Sequence, residues 1–229
     1  MNSKDKDSTS DRRVFLGSLA TGAATLGMAA LGMPINAQAD ELPQQEAEAW
    51  FDKIKGKHKM VFDVTKPHEI FPFAWPRVFL NSNIATGTPE KECSVVVVLR
   101  HEAIGYAFQD SLWEKYKFGE TFKANDPATK TAALRNPFSN PKDGEYKVPG
   151  VGAIAIGIAQ LQASGVMFCV CNTAMTKLSA VLGANTSVDP AEVKKELMAG
   201  ILPGIQVVPS GVWALGRAQE RGCAYCFAS

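Results

Sequence analysis

The sequence has no glycine-rich phosphate loop, no pair of carboxylates on one helix face and no Cys-x-x-Cys-His, so the usual signatures of phosphoryl transfer, hydride transfer and attached haem are missing. It also lacks a surplus of charge. Its 24 Lys and Arg stand against 23 Asp and Glu, and no arginine-rich or aromatic-interleaved tract is present, so nucleic acid is not an expected partner. Of the three histidines, His58 and His68 lie in polar or Pro-containing stretches with nothing to pair with, and His101 follows an apolar run. The five cysteines are odd in number, which leaves at least one thiol unpaired within the chain. A domain of this length buries a core without disulfide staples. No metal site or cofactor is expected.

The first forty residues run from a polar, charged stretch ending in Ser10-Asp11-Arg12-Arg13-Val14-Phe15-Leu16, through a weakly apolar run rich in Ala, Gly and Thr, to Ala37-Gln38-Ala39. That order, with paired arginines before Phe and Leu, is a twin-arginine export signal with a small-residue cleavage site. Cleavage after Ala39 and a periplasmic location are therefore expected. Val14 to Leu31 is 18 residues long, enough to just span a bilayer, but its Gly and Thr content argues against an anchor and for no stable membrane span after cleavage. Removing residues 1–39 takes away four basic and three acidic residues and leaves 20 of each.

Residues 40–59 read as a polar leader, with Gln44 to Phe51 a short amphipathic piece. The first buried strand is expected at Met60 to Val64 and a helix at Phe73 to Ala85, with Pro76 in its first turn. Ser94 to Leu99 is a continuous apolar, largely β-branched run, as in a strand covered on both faces. Ile104, Phe108, Leu112 and Tyr116, spaced by four, predict a helix over Ala103 to Lys117. Gly152 to Ala163 reads as another helix, followed by a strand at Val166 to Cys171. Asn172-Thr173 can cap a helix to Leu182, and Asp189-Pro190 with Glu192 caps one that Gly200 ends. A strand at Ile205 to Val208, a helix from Val212 to Glu220 capped by Ser210, and a strand at Cys223 to Phe227 close the chain.

Five apolar strands alternating with helices predict an α/β fold with a mostly parallel sheet and helices on both faces. In such sheets ligands bind beyond the carboxyl ends of the strands. The residues to watch are His101, Cys171 with Asn172 and Thr173, and Pro209 with Ser210. Phe118 to Pro149 does not fit: it carries four prolines and no period, and reads as an insertion that climbs toward that edge, either a lid or else a surface excursion or an oligomer contact. Without a core-like pattern, its stretch from Asp126 to Asp143 is expected to be dispensable for folding.

The passage Gly165-Val166-Met167-Phe168-Cys169-Val170-Cys171-Asn172-Thr173-Ala174 resembles the DsrE/DsrF-like family. So does the run Leu202-Pro203-Gly204-Ile205-Gln206-Val207-Val208-Pro209-Ser210-Gly211-Val212, continued by Ala218-Gln219-Glu220-Arg221-Gly222-Cys223-Ala224-Tyr225. The likeness covers Val61 to Phe227 apart from the insertion. It implies a three-layer α/β/α fold of the flavodoxin-like class, a homo-oligomer of trimer or hexamer type, and a partner that is a small sulfur species or a sulfur-carrying protein. It also implies persulfide transfer on the residue that corresponds to Cys171. The export signal, the insertion and Cys223 with Cys226 depart from the family pattern, and an exported relative can keep a fold and change its task.

Cys171 ends a buried strand just before a helix start, where backbone N–H groups and the helix dipole favour a thiolate. Cys169, two residues back, should share its face and sit deeper. His101 should lie on the same edge as a base or orienting group. Asn172, Thr173 and Ser210 are the candidate ligand-binding residues. Cys223 and Cys226, three apart in a strand, point to opposite faces and are not placed to bond to each other. Cys93 lies at the opposite edge. Two readings follow: a thiol-dependent sulfur carrier or sulfurtransferase-like protein using Cys171, or a non-catalytic periplasmic protein that binds a small ligand or redox partner at the same edge.

Overall fold

A computed structural model describes residues 44–148 and 150–229; the export signal expected over residues 1–39 lies outside them. Five strands form one sheet: β1 (His58–Val64), β2 (Cys93–Leu99), β5 (Val166–Cys171), β6 (Ile205–Val208) and β7 (Ala224–Phe227). Their order is β6-β5-β2-β1-β7, and every pairing is parallel. The sheet carries helices on both faces and makes the protein a three-layer α/β/α fold. β3 (Lys147–Val148) and β4 (Gly152–Ala153) form a separate antiparallel pair.

Alternation along the central strands feeds two cores. Val95, Val97 and Leu99 of β2 with Phe168 and Val170 of β5 face one way, and Val96 and Val98 with Cys169 face the other. From β1 to β2, β5 and β6 the chain steps steadily across the sheet. Right-handed crossovers therefore place α2 (Phe71–Ala85), the long segment from residue 101 to 163, α6 (Asn172–Thr186) and α7 (Pro190–Ala199) all on the first face. The last crossover runs back from β6 to β7, which puts α8 (Gly211–Glu220) on the second face with α1 (Gln44–Phe51).

The polar leader is part of this second layer. Ala47, Trp50, Phe51 and Ile54 are buried. Phe51 meets Trp213 of α8 edge-on at 5.6 Å, and Lys55 exchanges backbone hydrogen bonds with the Ser94 hydroxyl of β2. Three apolar residues of a short helix, with Ile54 just past its end, thus join α8 in covering this sheet face.

Three helix expectations change on the first face. Residues 103–117 are not one helix: His101–Ala107 is a 3₁₀ turn, and α3 (Asp110–Tyr116) follows it. Ala103 to Phe108 are all buried, so no polar side exists, and residues 107–109 lie extended beside residues 200–202 through Leu202 N–H to Ala107 O and Gln109 N–H to Gly200 O. Likewise Gly152–Ala153 is strand and only α5 (Ile158–Ala163) is helical. Pro76 lies inside α2 rather than in its first turn, which Pro72 occupies; Pro76 has no N–H to offer the Pro72 carbonyl.

The segment from 118 to 148 is not a surface excursion, because it completes the first core. After α4 (Phe118–Thr121) it buries Phe122, Ala124, Ala133, Phe138 and Tyr146. Phe138 stacks on Phe73 of α2 at 4.1 Å and meets Tyr106 edge-on at 5.3 Å. Asn136, fully buried, donates to the carbonyls of Tyr106 and Phe108 at 2.9 and 2.8 Å and accepts from Phe138 N–H at 3.1 Å. One amide thus satisfies backbone groups that an irregular chain would otherwise bury unpaired. At Gly119 an added Cβ would collide with the Ala133 backbone, so the close approach that folds the segment back requires glycine.

Candidate functional site at the carboxyl edge

β5 hands the chain to the first face through α6, and its neighbour β6 hands it to the second through α8. Between these two carboxyl ends the crossover direction reverses, and open parallel sheets bind ligands at such a crevice. The sequence places Cys171, Asn172 and Thr173 on one lip and Pro209 and Ser210 on the other.

Cys171 is the N-cap of α6, with φ −75° and ψ 111°, and its Sγ accepts a hydrogen bond from Ala174 N–H at 3.3 Å. This is the bond a Ser or Asp would make at that position, here made to the sulfur of a residue that is 6% exposed. Thr173 closes the crevice: its N–H and its hydroxyl both donate to Pro209 O, at 3.2 and 3.0 Å. Ser210 is the N-cap of α8 and accepts from Trp213 N–H at 3.2 Å. Asn172 opens α6 with its side chain buried, and its Oδ1 has no hydrogen-bond partner.

His101 does follow β2 at this edge, in the left-handed region at φ +54°. Its side chain is 60% exposed, and its charged neighbour is Glu102, at 4.0 Å. No hydrogen bond among the described residues joins it to Cys171. The group that β2 contributes is instead Arg100. Its Nε and Nη2 donate to the two oxygens of Asp63 on β1 at 2.7 and 2.9 Å, and Tyr225 of β7 donates to Asp63 Oδ2 at 2.8 Å. Asp63 is 1% exposed, so its charge needs this bidentate partner. The hydrogen bond that Arg100 donates to Asp63 raises the Arg100 pKa most; burial opposes it, and the nearness of Asp63, Tyr225 and Cys171 adds to it. The stem of Arg100 lies on Gly211, where a Cβ would come within 2.5 Å of Arg100 Cβ. A lone acid in an otherwise apolar strand, with an Arg just past the next strand, is the signal that could have revealed this pair in the sequence.

The other thiols are placed differently. Cys169 lies in the second core, and burial pushes its pKa far up. Cys171 does not share that core: at the turn into α6 it packs with the first one. Cys223 is buried in the second core, where burial, opposed by Lys59, pushes its pKa up to about 11. Cys226 packs against the first core, so the pair straddles the sheet. Cys93 opens β2 at the far edge, and burial, aided by Glu90 and Glu92, raises its pKa. All five cysteines are free.

Two surface clefts lie elsewhere. One of about 610 Å³ is lined by Arg77, Asn81 and Gln160, among others, and one of about 540 Å³ by Glu69, Phe71, Lys130 and Tyr146, among others. Neither includes Cys171, Asn172, Thr173, Ser210 or His101. No helix among the described residues is long and apolar enough to cross a membrane.

No family model matches the chain, and no curated protein does. Among solved structures, a protein of unknown function from Methanobacterium thermoautotrophicum aligns with 75% of this chain and 99% of its own at 16% identity and a TM-score of 0.40. A likeness at that level carries no functional argument, and function is read from the site.

Proposed function

We propose that this chain is an exported DsrE-like protein that carries sulfur on Cys171, as a thiol-dependent sulfur carrier or sulfurtransferase-like protein. One observation carries the reading: of five thiols, Cys171 alone lies at the switch-point crevice with a helix N–H donated to its sulfur. A backbone donor and a helix N-terminus favour the anionic form of sulfur, which is the nucleophile in persulfide transfer. Arg100, anchored by the Asp63 carboxylate that Tyr225 also holds, stands at the same edge. The resemblance to the DsrE/DsrF-like family supports the same assignment, a small sulfur species or a sulfur-carrying protein as partner, and a homo-oligomer. The twin-arginine signature in the sequence supports a periplasmic site of action.

The 6% exposure of Cys171 favours a second reading, a non-catalytic protein that binds a small ligand or redox partner at this crevice. Alkylation of the folded, reduced protein at neutral pH, with the modified peptide identified by mass, separates the two. The carrier reading expects labelling of Cys171 ahead of Cys169 and Cys223, and a 32-Da sulfur adduct on Cys171 after incubation with glutathione persulfide. Cys171 unlabelled and unloaded until the protein unfolds would leave the binding reading as the account.

A further inference from the structure

The polar side chains on the two lips of the crevice are not equally available. Thr173 is spent on Pro209 O, Ser210 caps α8, and the sulfur of Cys171 caps α6. Asn172 is the exception. It is 9% exposed, and its buried Oδ1 has no hydrogen-bond partner among the described residues. A buried amide oxygen left unpaired is costly, and native structures rarely leave one without a reason. Asn172 is the first residue of α6, and helical Cα–Cβ bonds tilt toward the N-terminus. Asn172 therefore stands at the Cys171 end of α6, one residue from the thiol.

We infer that Asn172 binds the sulfur added to Cys171: its uncommitted amide is held ready for the outer atom of a Cys171 persulfide. This rests on the carrier reading. The step is a transfer of sulfane sulfur. The Cys171 thiolate attacks the outer sulfur of a persulfide R–S–SH, a Cys171–S bond forms, the S–S bond of the donor breaks, and R–S⁻ leaves with the electron pair. The proton stays on the transferred sulfur. No oxidant or reductant is consumed. A half-turn of the amide exchanges its oxygen for its NH₂, so Asn172 can accept from the neutral S–SH or donate to the anion S–S⁻. The substrate class is a low-molecular-weight or protein persulfide whose outer sulfur fits beside a buried amide. Thr173 and Ser210, through their bonds to Pro209 O and from Trp213 N–H, hold the two lips in place.

The test loads the full chain with glutathione persulfide and follows the Cys171 adduct by mass in the wild type, Asn172→Leu and Asn172→Asp. The loss of one hydrogen bond of about 0.5–1.5 kcal/mol predicts an adduct lifetime shorter by about three- to tenfold in Asn172→Leu. Asn172→Asp, which cannot donate and repels S–S⁻, should shorten it further. Alkylation of the unloaded thiol should stay within about twofold of wild type in Asn172→Leu, which a merely structural role for Asn172 would not leave in place. Should Asn172→Leu lose its cooperative unfolding transition, Asn172→Asp alone decides. Equal adduct lifetimes in wild type and variants overturn the role of Asn172 and leave the carrier reading standing; no adduct on Cys171 even in the wild type overturns the carrier reading itself.

Discussion

The two faces of the sheet are closed by different means. On the second face, α1 and α8 lay regular apolar stripes on Val61, Val96, Val98 and Cys169, and polar pairs between them, such as Arg217 to Glu48 at 2.6 Å, stay at the rim. The first face is closed between β2 and β5 by a chain with short helical pieces and little regular period. There, rings of Phe73, Tyr106, Phe138 and Tyr146 interlock, and the Asn136 amide serves the backbone. A periodic layer declares itself in sequence because burial repeats every three or four residues. An irregular layer of equal burial does not, since each buried residue is placed by its own contacts. Low periodicity is therefore no measure of how much a segment contributes to stability.

The strongest way to break the comparison is to delete residues 126–143. Removing Phe138 and Asn136 together strips the first core and unpairs the carbonyls of Tyr106 and Phe108, a loss comparable to the whole stability of about 5–15 kcal/mol of a typical domain. The deletion should show no cooperative urea transition and no near-ultraviolet dichroism. Retention of both would return the segment to the status of a surface excursion.

Single truncations sharpen the same point. Phe138→Ala in the irregular layer and Phe51→Ala in the regular one should each cost about 3–5 kcal/mol, since both rings are fully buried. Urea midpoints measure this directly. A Phe138→Ala cost below about 1 kcal/mol, with Phe51→Ala in the expected range, would show that the aromatic cluster relaxes where the helical layer does not.

The smallest effect is electrostatic. Cys223 in the second core has its pKa pushed up from the ordinary thiol value of 9.0 to about 11. The native state keeps the proton where the unfolded chain has lost it, so stability is whole below pH 9 and falls as pH rises from 9 to 11. At about 1.4 kcal/mol per pKa unit the loss from this thiol approaches about 3 kcal/mol at the alkaline end. Urea midpoints in reductant at pH 8 and pH 10.5 should therefore converge in Cys223→Ala relative to wild type. Tyr106 and Tyr146 of the first core, whose pKa values burial also raises, leave a residual slope in both. An unchanged slope in Cys223→Ala would show that water reaches this thiol in the native state.

Local chemistry determined much of this protein before any tertiary contact was known. Val166–Cys171 and Ile205–Val208 are strands because apolar and β-branched runs favour an extended, covered backbone. Asp189 and Ser210 cap their helices because a short oxygen-bearing side chain reaches the N–H groups of the first turn. Cys171, Asn172, Thr173 and Ser210 fall at one edge because they follow strands that all run the same way. What the tertiary structure decided was everything that depends on distant partners. It set α1 into the second core, turned 118–148 into a core layer and left His101 beside Glu102. It joined Asp63 to Arg100 across 37 positions and to Tyr225 across 162, and it committed Thr173 and Ser210 to backbone bonds while leaving the Asn172 Oδ1 unpaired. Periodicity and capping are read within a turn or a strand, whereas a buried charge or amide finds its partner only where the sheet brings remote strands side by side.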